Sequence, residues 1–138
     1  MKNSVEKTSV LFSAGSFGGL INGLVVWLFG AIGITTALGV KIAPQLSAFY
    51  FYPRIVWGGI WGFAFLLPFL KDRLYLKGLI LSLGPTIVQL FVVFPIKAQK
   101  GVMGLDLGAL TPFFVVLFNA AWGLAAAYWL KLTGADRG

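Results

Sequence analysis

No cysteine and no histidine occurs in these 138 residues. The first absence excludes disulfide frameworks, zinc fingers, iron–sulfur clusters and thiol catalysis together. The second removes the commonest metal ligand, the commonest general base and the usual axial ligand of haem. Acid is also scarce: four Asp and Glu stand against eleven Lys and Arg, for a net charge of +7. In a soluble chain that excess would point to nucleic acid. Here the basic residues are scattered between apolar blocks with no long basic run. They read as topological lysine and arginine beside anionic lipid headgroups, with no nucleic-acid partner. There is no catalytic motif, no metal-ligand cluster and no phosphate-cradling loop, so neither an enzyme nor a cofactor is expected.

Apolar residues are abundant. The chain is 59% hydrophobic and 11% charged, with a mean hydropathy of +0.90. Soluble domains are about half apolar and about a quarter charged. A soluble protein this small could not hide so much apolar surface, so lipid is expected to cover much of it. Uncharged stretches run over 8–40, 55–70, 78–96 and 107–130. A membrane-crossing helix needs about 20 residues. The first, third and fourth stretches qualify directly.

The second stretch is short, about 24 Å of helix at 1.5 Å per residue against a hydrocarbon core of about 30 Å. It can begin earlier if Arg54 snorkels outward. Pro53 suits a first helical position, and the aromatic run Phe49 to Tyr52 before it is belt-like. The fold expected is an all-α integral membrane protein, one transmembrane domain over 1–138. Its four transmembrane helices lie near 11–33, 52–70, 76–96 and 108–130. A cleavable signal peptide is the rival for the first segment. Glu6 in the basic region and an overlong apolar stretch count against it. A short in-plane helix is a further candidate in the 35–51 loop, with Val40, Ile42, Leu46 and Phe49 on its apolar face.

Basic residues set orientation. With four spans, Lys2, Lys7, Lys71, Arg73, Lys77, Lys131 and Arg137 share one side, and Lys41, Arg54, Lys97 and Lys100 share the other. Seven against four favours both termini in the cytoplasm.

The chain also aligns with itself. Residues 18–27 set against 85–94, pairing Asn22 with Gln89, and 57–62 set against 118–123, pairing Trp61-Gly62 with Trp122-Gly123. The offsets are 67 and 61 residues, which predicts a duplicated two-helix hairpin related by a pseudo-twofold along the membrane normal.

Small residues recur every four positions: Gly15, Gly19 and Gly23 on the first helix, Gly58 and Gly62 on the second. This spacing lets helix backbones approach closely. Asn22, Gln89 and Asn119 lie inside spans. A carboxamide in hydrocarbon must find a partner, so each bonds another helix or lines a path for a small solute. Pro85 predicts a kink in the third helix. Arg54, beside Tyr50, Tyr52 and Trp57, is a candidate contact for a lipid phosphate, because a guanidinium matches phosphate with a two-pronged fork.

The stretch Leu76-Lys77-Gly78-Leu79, then Gln89-Leu90-Phe91 and Phe94-Pro95, then a loop and a Trp-containing last helix, resembles the C-terminal half of the YagU-type bacterial inner-membrane proteins. The resemblance implies a bacterial cytoplasmic membrane and no established enzymatic activity. It transfers no functional residue. Two readings of function follow. The first is a non-enzymatic component that packs with itself or with a larger membrane complex. The second is a small channel or carrier with a polar lining of Asn22, Gln89 and Asn119.

Overall fold

The computed structural model describes residues 4–70 and 72–134. Lys2, Lys71 and Arg137, three of the seven basic residues assigned to one side, lie outside the described residues. All regular structure among the described residues is helical. Helix α1 spans Ser4–Ala31, α2 Ile34–Ala37 and α3 Ala48–Gly62, the last continuing as a 3-10 run over Phe63–Leu66. Helix α4 spans Leu74–Leu81 and α5 Leu83–Val88, which opens into a π-helix over Gln89–Lys97. A 3-10 turn at Val102–Leu107 precedes α6, Thr111–Leu132. Three of these units are long and apolar enough to cross a membrane: Ser4–Ala31, Leu74–Lys97 and Thr111–Leu132.

Helix α3 starts four residues earlier than expected. Ser47 is its N-cap, and the Ser47 hydroxyl accepts a hydrogen bond from the Tyr50 backbone N–H at 3.1 Å. That satisfies one of the donors every helix start leaves over. Pro53 therefore lies inside the helix and not at its first position. The expected in-plane helix does not form: residues 40–47 carry no helix. Val40 is instead fully buried, and its neighbour Lys41 donates its backbone N–H to the Leu107 carbonyl at 2.9 Å. Two loops are thereby tied at one end of the molecule. Gly108 sits where a Cβ would run into the Gly39 carbonyl, and its φ of +152° favours glycine.

The third segment breaks at Ser82, one residue past the end of α4. Pro85 explains the place, because its missing N–H leaves the Leu81 carbonyl without its helical donor. Pro95 lies within the π-helix, whose wider turn accommodates the pyrrolidine ring.

The four long segments run alternately up and down. Leu11, Phe65, Leu74 and Leu130 cluster at one end, and Val26, Val40, Phe114 and Phe118 near the other. The start of α1 and the end of α6 thus share an end. Glycine sets the closest crossings. A Cβ on Gly15 would run into the Gly58 carbonyl, one on Gly19 into the Arg54 carbonyl, and one on Gly62 into the Leu11 carbonyl. The same holds between Gly78 of α4 and Gly123 of α6. Gly23 is covered by the Phe51 ring instead of a backbone.

Lys77 is buried and donates to the carbonyls of Phe65 (2.9 Å) and Leu67 (2.6 Å), closing the C-terminal end of the 3-10 run. The outside of the bundle is apolar: Leu28, Val56, Ile80, Ile87, Phe91 and Val116 are all exposed.

Candidate functional site

Five polar side chains inside the bundle, Arg54, Asn22, Asn119, Thr86 and Gln89, form one directional chain of hydrogen bonds. The Arg54 guanidinium of α3 donates to Asn22 Oδ1 of α1 at 2.6 Å. Asn22 Nδ2 donates to the Phe118 carbonyl at 2.8 Å and, more weakly, to Asn119 Oδ1 of α6 at 3.5 Å. Asn119 Nδ2 donates to Thr86 Oγ1 of α5 at 3.1 Å and lies 3.4 Å from Gln89 Oε1 at the start of the π-helix. The Thr86 hydroxyl in turn donates to the Ser82 carbonyl at 2.8 Å. Each acceptor belongs to a different segment from its donor until that last bond. All three sequence-chosen amides are thus brought together, and Asn22, Thr86 and Asn119 are buried.

Arg54 joins them. Its guanidinium turns inward to Asn22 and stacks over the Tyr50 ring, 4.5 Å from the centroid. The Tyr50 hydroxyl is itself anchored, donating to the Gly23 carbonyl at 2.8 Å. The sequence places Tyr50 beside Arg54 without a partner of its own, and gives Thr86 no site role. Tyr50 also belongs to the belt-like aromatic run. Their signal was spacing: Tyr50 lies one turn before Arg54, and Thr86 one turn before Gln89.

Two cavities meet at this centre, and Asn22, Arg54 and Gln89 line both. The smaller, about 360 Å³, reaches toward the tied loops and is bordered by Lys41, Ile42, Pro44, Phe94 and Leu107. The larger, about 760 Å³, is a cleft between α3 and the α5–π segment. Trp57 and Trp61 form one wall, Val88 and Val93 the other, and Asn119 and Trp122 belong to its floor. Lys97 also borders this cleft. Among the described residues no Asp or Glu lines either cavity.

The donor count is uneven. A guanidinium carries five N–H donors, and one hydrogen bond to a protein acceptor is made by Arg54 among the described residues. Gln89 uses its carbonyl, while its amide NH2 has no acceptor among the described residues. The centre therefore offers donors and positive charge. No group of three or more His, Cys, Asp or Glu that could hold a metal ion occurs among the described residues. Compared with protein-family models, curated proteins and solved structures, the chain finds no match in any of the three.

Proposed function

We propose that this chain is a four-span membrane protein that binds a small acceptor-bearing solute at its polar centre and passes it across the bilayer, as a carrier or channel and not as an enzyme. One observation carries the reading: the Arg54–Asn22–Asn119–Gln89 chain borders both cavities, so a solute entering either one meets the same donors. A hydrogen-bond network built only for packing has no need of two cavities.

The fourth crossing rests on α3 with its 3-10 extension. Fifteen α-residues and four 3-10 residues reach about 30 Å at about 1.5 and 2.0 Å per residue, which matches the hydrocarbon core. Lipid on all sides accounts for the apolar exterior, since soluble monomers rarely expose contiguous apolar patches beyond a few hundred Å². Orientation sharpens too. Lys77 and Arg54 are held by protein acceptors. Seven less Lys77 is six, and four less Arg54 is three, which keeps both termini on the cytoplasmic side. A bacterial cytoplasmic membrane is the setting that agrees with the sequence resemblance.

The duplication draws support from the crossings. Leu11 meets Gly62, and 67 and 61 residues later Gly78 meets Gly123. Trp61 lies over Gly84, and Trp122 over Gly18. The alternative, a component of a homo-oligomer or larger complex, draws on the apolar exterior and not on glycine. Gly15, Gly19, Gly58 and Gly62 already meet neighbouring helices within the chain.

The test is uptake of a small organic anion into proteoliposomes. Asn22→Leu is expected to reduce uptake about tenfold or more, while the loss of its three hydrogen-bond contacts lowers stability by only about 1–2 kcal/mol and leaves the fold intact. Interhelical hydrogen bonds in membranes average about 0.6 kcal/mol, too little to unfold the bundle. Uptake equal to wild type would overturn the reading.

A further inference from the structure

We infer that the cleft between α3 and the α5–π segment binds an amphipathic anion, with the acidic headgroup on Arg54 and the apolar body between Trp57, Trp61, Val88 and Val93. This deepens the proposed function and rests on it.

Size is the first argument. The cleft holds about 760 Å³, within the roughly 300–1,000 Å³ range of pockets that hold drug-sized organic ligands. A water molecule occupies about 30 Å³, so a monatomic ion would leave the walls unused. The distribution of chemistry is the second. The floor carries Asn22, Arg54 and Asn119 beside the Trp122 ring, with free donors on Arg54, and the walls are indole and valine. Polar floor and apolar walls match a molecule that is charged at one end only.

Charge is the third argument. Arg54 and Lys97 border the cleft, and no carboxylate does so among the described residues. A positive charge in a low-dielectric site is costly unless paired, and an acidic headgroup supplies the pair. A carboxylate or phosphate can also take two guanidinium N–H donors at once.

Access is the fourth. Trp57 is 60% exposed and Ile87 58%, and Trp57 stands on the cleft wall beside Val56 and Ile60, which are also exposed. The mouth therefore opens onto the apolar exterior, where lipid tails lie in the membrane reading. A ligand from the bilayer can enter tail-alongside past Trp57, on the side away from Lys97.

The experiment uses the full chain in zwitterionic nanodiscs and reads quenching of tryptophan fluorescence. The probes are dibromostearate, brominated phosphatidylglycerol and brominated stearyl alcohol, with inorganic phosphate and acetate as chainless competitors. Quenching by dibromostearate at an affinity about tenfold or more above the alcohol is expected, and Arg54→Gln should abolish that difference while Arg54→Lys keeps part of it. Phosphatidylglycerol preferred over the free acid would place the headgroup in a phospholipid and equally support the inference. Val88→Phe, at an exposed position on the wall, should weaken the brominated acid several-fold and leave folding intact, so a failure of Arg54→Gln to fold does not end the test. Equal affinity for acid and alcohol would overturn the inference. Binding of acetate or phosphate that depends on Arg54, with no gain from a chain, would overturn it too while leaving the small-solute reading standing. No Arg54-dependent binding of any anion would overturn both.

Discussion

The two hairpins solve the same crossing in opposite ways. In the first, Gly19 of α1 lies against Gly58 of α3, with so little room that a Cβ on Gly58 would approach the Gly19 Cα to 3.0 Å. The positions 67 and 61 residues later are Thr86 and Asn119, and they are joined by a side-chain hydrogen bond of 3.1 Å. Where one pair closes backbone to backbone, the other holds its helices apart on polar side chains. The difference continues along each pair. Helix α1 is an unbroken α-helix, whereas the third segment breaks at Ser82 and widens into a π-helix from Gln89. At this level glycine closes the first pair and polar side chains bridge the second, whose own backbone contact, Gly78 with Gly123, lies farther along. Helix α3 belongs to both. Gly58 and Gly62 meet α1, Trp57 and Trp61, one residue earlier in each case, form the cleft wall, and Arg54 reaches Asn22 of α1 while bordering the same cleft. A step of one residue rotates about 100° around a helix.

The largest expected effect is on the glycine side. Gly58→Leu forces a four-carbon side chain against the Gly15 carbonyl. Overpacking typically costs about 1–3 kcal/mol, and in lipid there is little water-driven force between helices to offset it. Folded yield in mild detergent should fall sharply, and Gly19→Leu should behave alike. A normal melting temperature for both would erase the contrast between the hairpins.

Asn119→Leu should cost less. It removes two donor contacts and one acceptor, and at about 0.6 kcal/mol for a membrane hydrogen bond the loss is on the order of 1–2 kcal/mol. Thermal unfolding in detergent should place it between the glycine variants and wild type. A loss as large as that of Gly58→Leu would mean that the polar crossing is as tightly packed as the glycine one.

The smallest stability effect belongs to the cleft wall. Trp57→Ala changes an exposed side chain, and such positions usually move stability by no more than about 0.5 kcal/mol. Its melting temperature should match wild type while uptake of organic anions changes. A marked loss of stability would show that the wall is structural.

Much of this was legible in the residues. The helical class, the glycine stripes and the inward placement of Asn22, Gln89 and Asn119 follow from patterning and from the cost of a bare amide in an apolar interior. The outward, snorkelling Arg54 expected from the sequence instead points inward. The cause was a helix start placed at 52. With Ser47 as the cap, Arg54 lies nearly two turns inside α3 and reaches Asn22. The cap signal was present, but the aromatic run that follows looked like a membrane belt. Val40 is buried by the approach of Gly39 to Gly108, a contact between residues far apart in the chain that no local pattern encodes. The π-helix has one local cue, Pro95, which lies inside it.

A topology assay sharpens the frame in which the two hairpins are compared. A C-terminal green fluorescent protein fusion should fluoresce and a C-terminal alkaline phosphatase fusion should be inactive. An active phosphatase would overturn either the four crossings or the cytoplasmic termini.

The most direct test of a single working centre is a double-mutant cycle in uptake between Asn22 and Asn119, which lie on different helices 3.5 Å apart. Residues acting as one unit lose function non-additively. Asn22→Leu and Asn119→Leu should each reduce organic-anion uptake by about tenfold or more, and the double variant should be no worse than the poorer single. Losses that multiply, or uptake that either single variant leaves intact, would contradict the account.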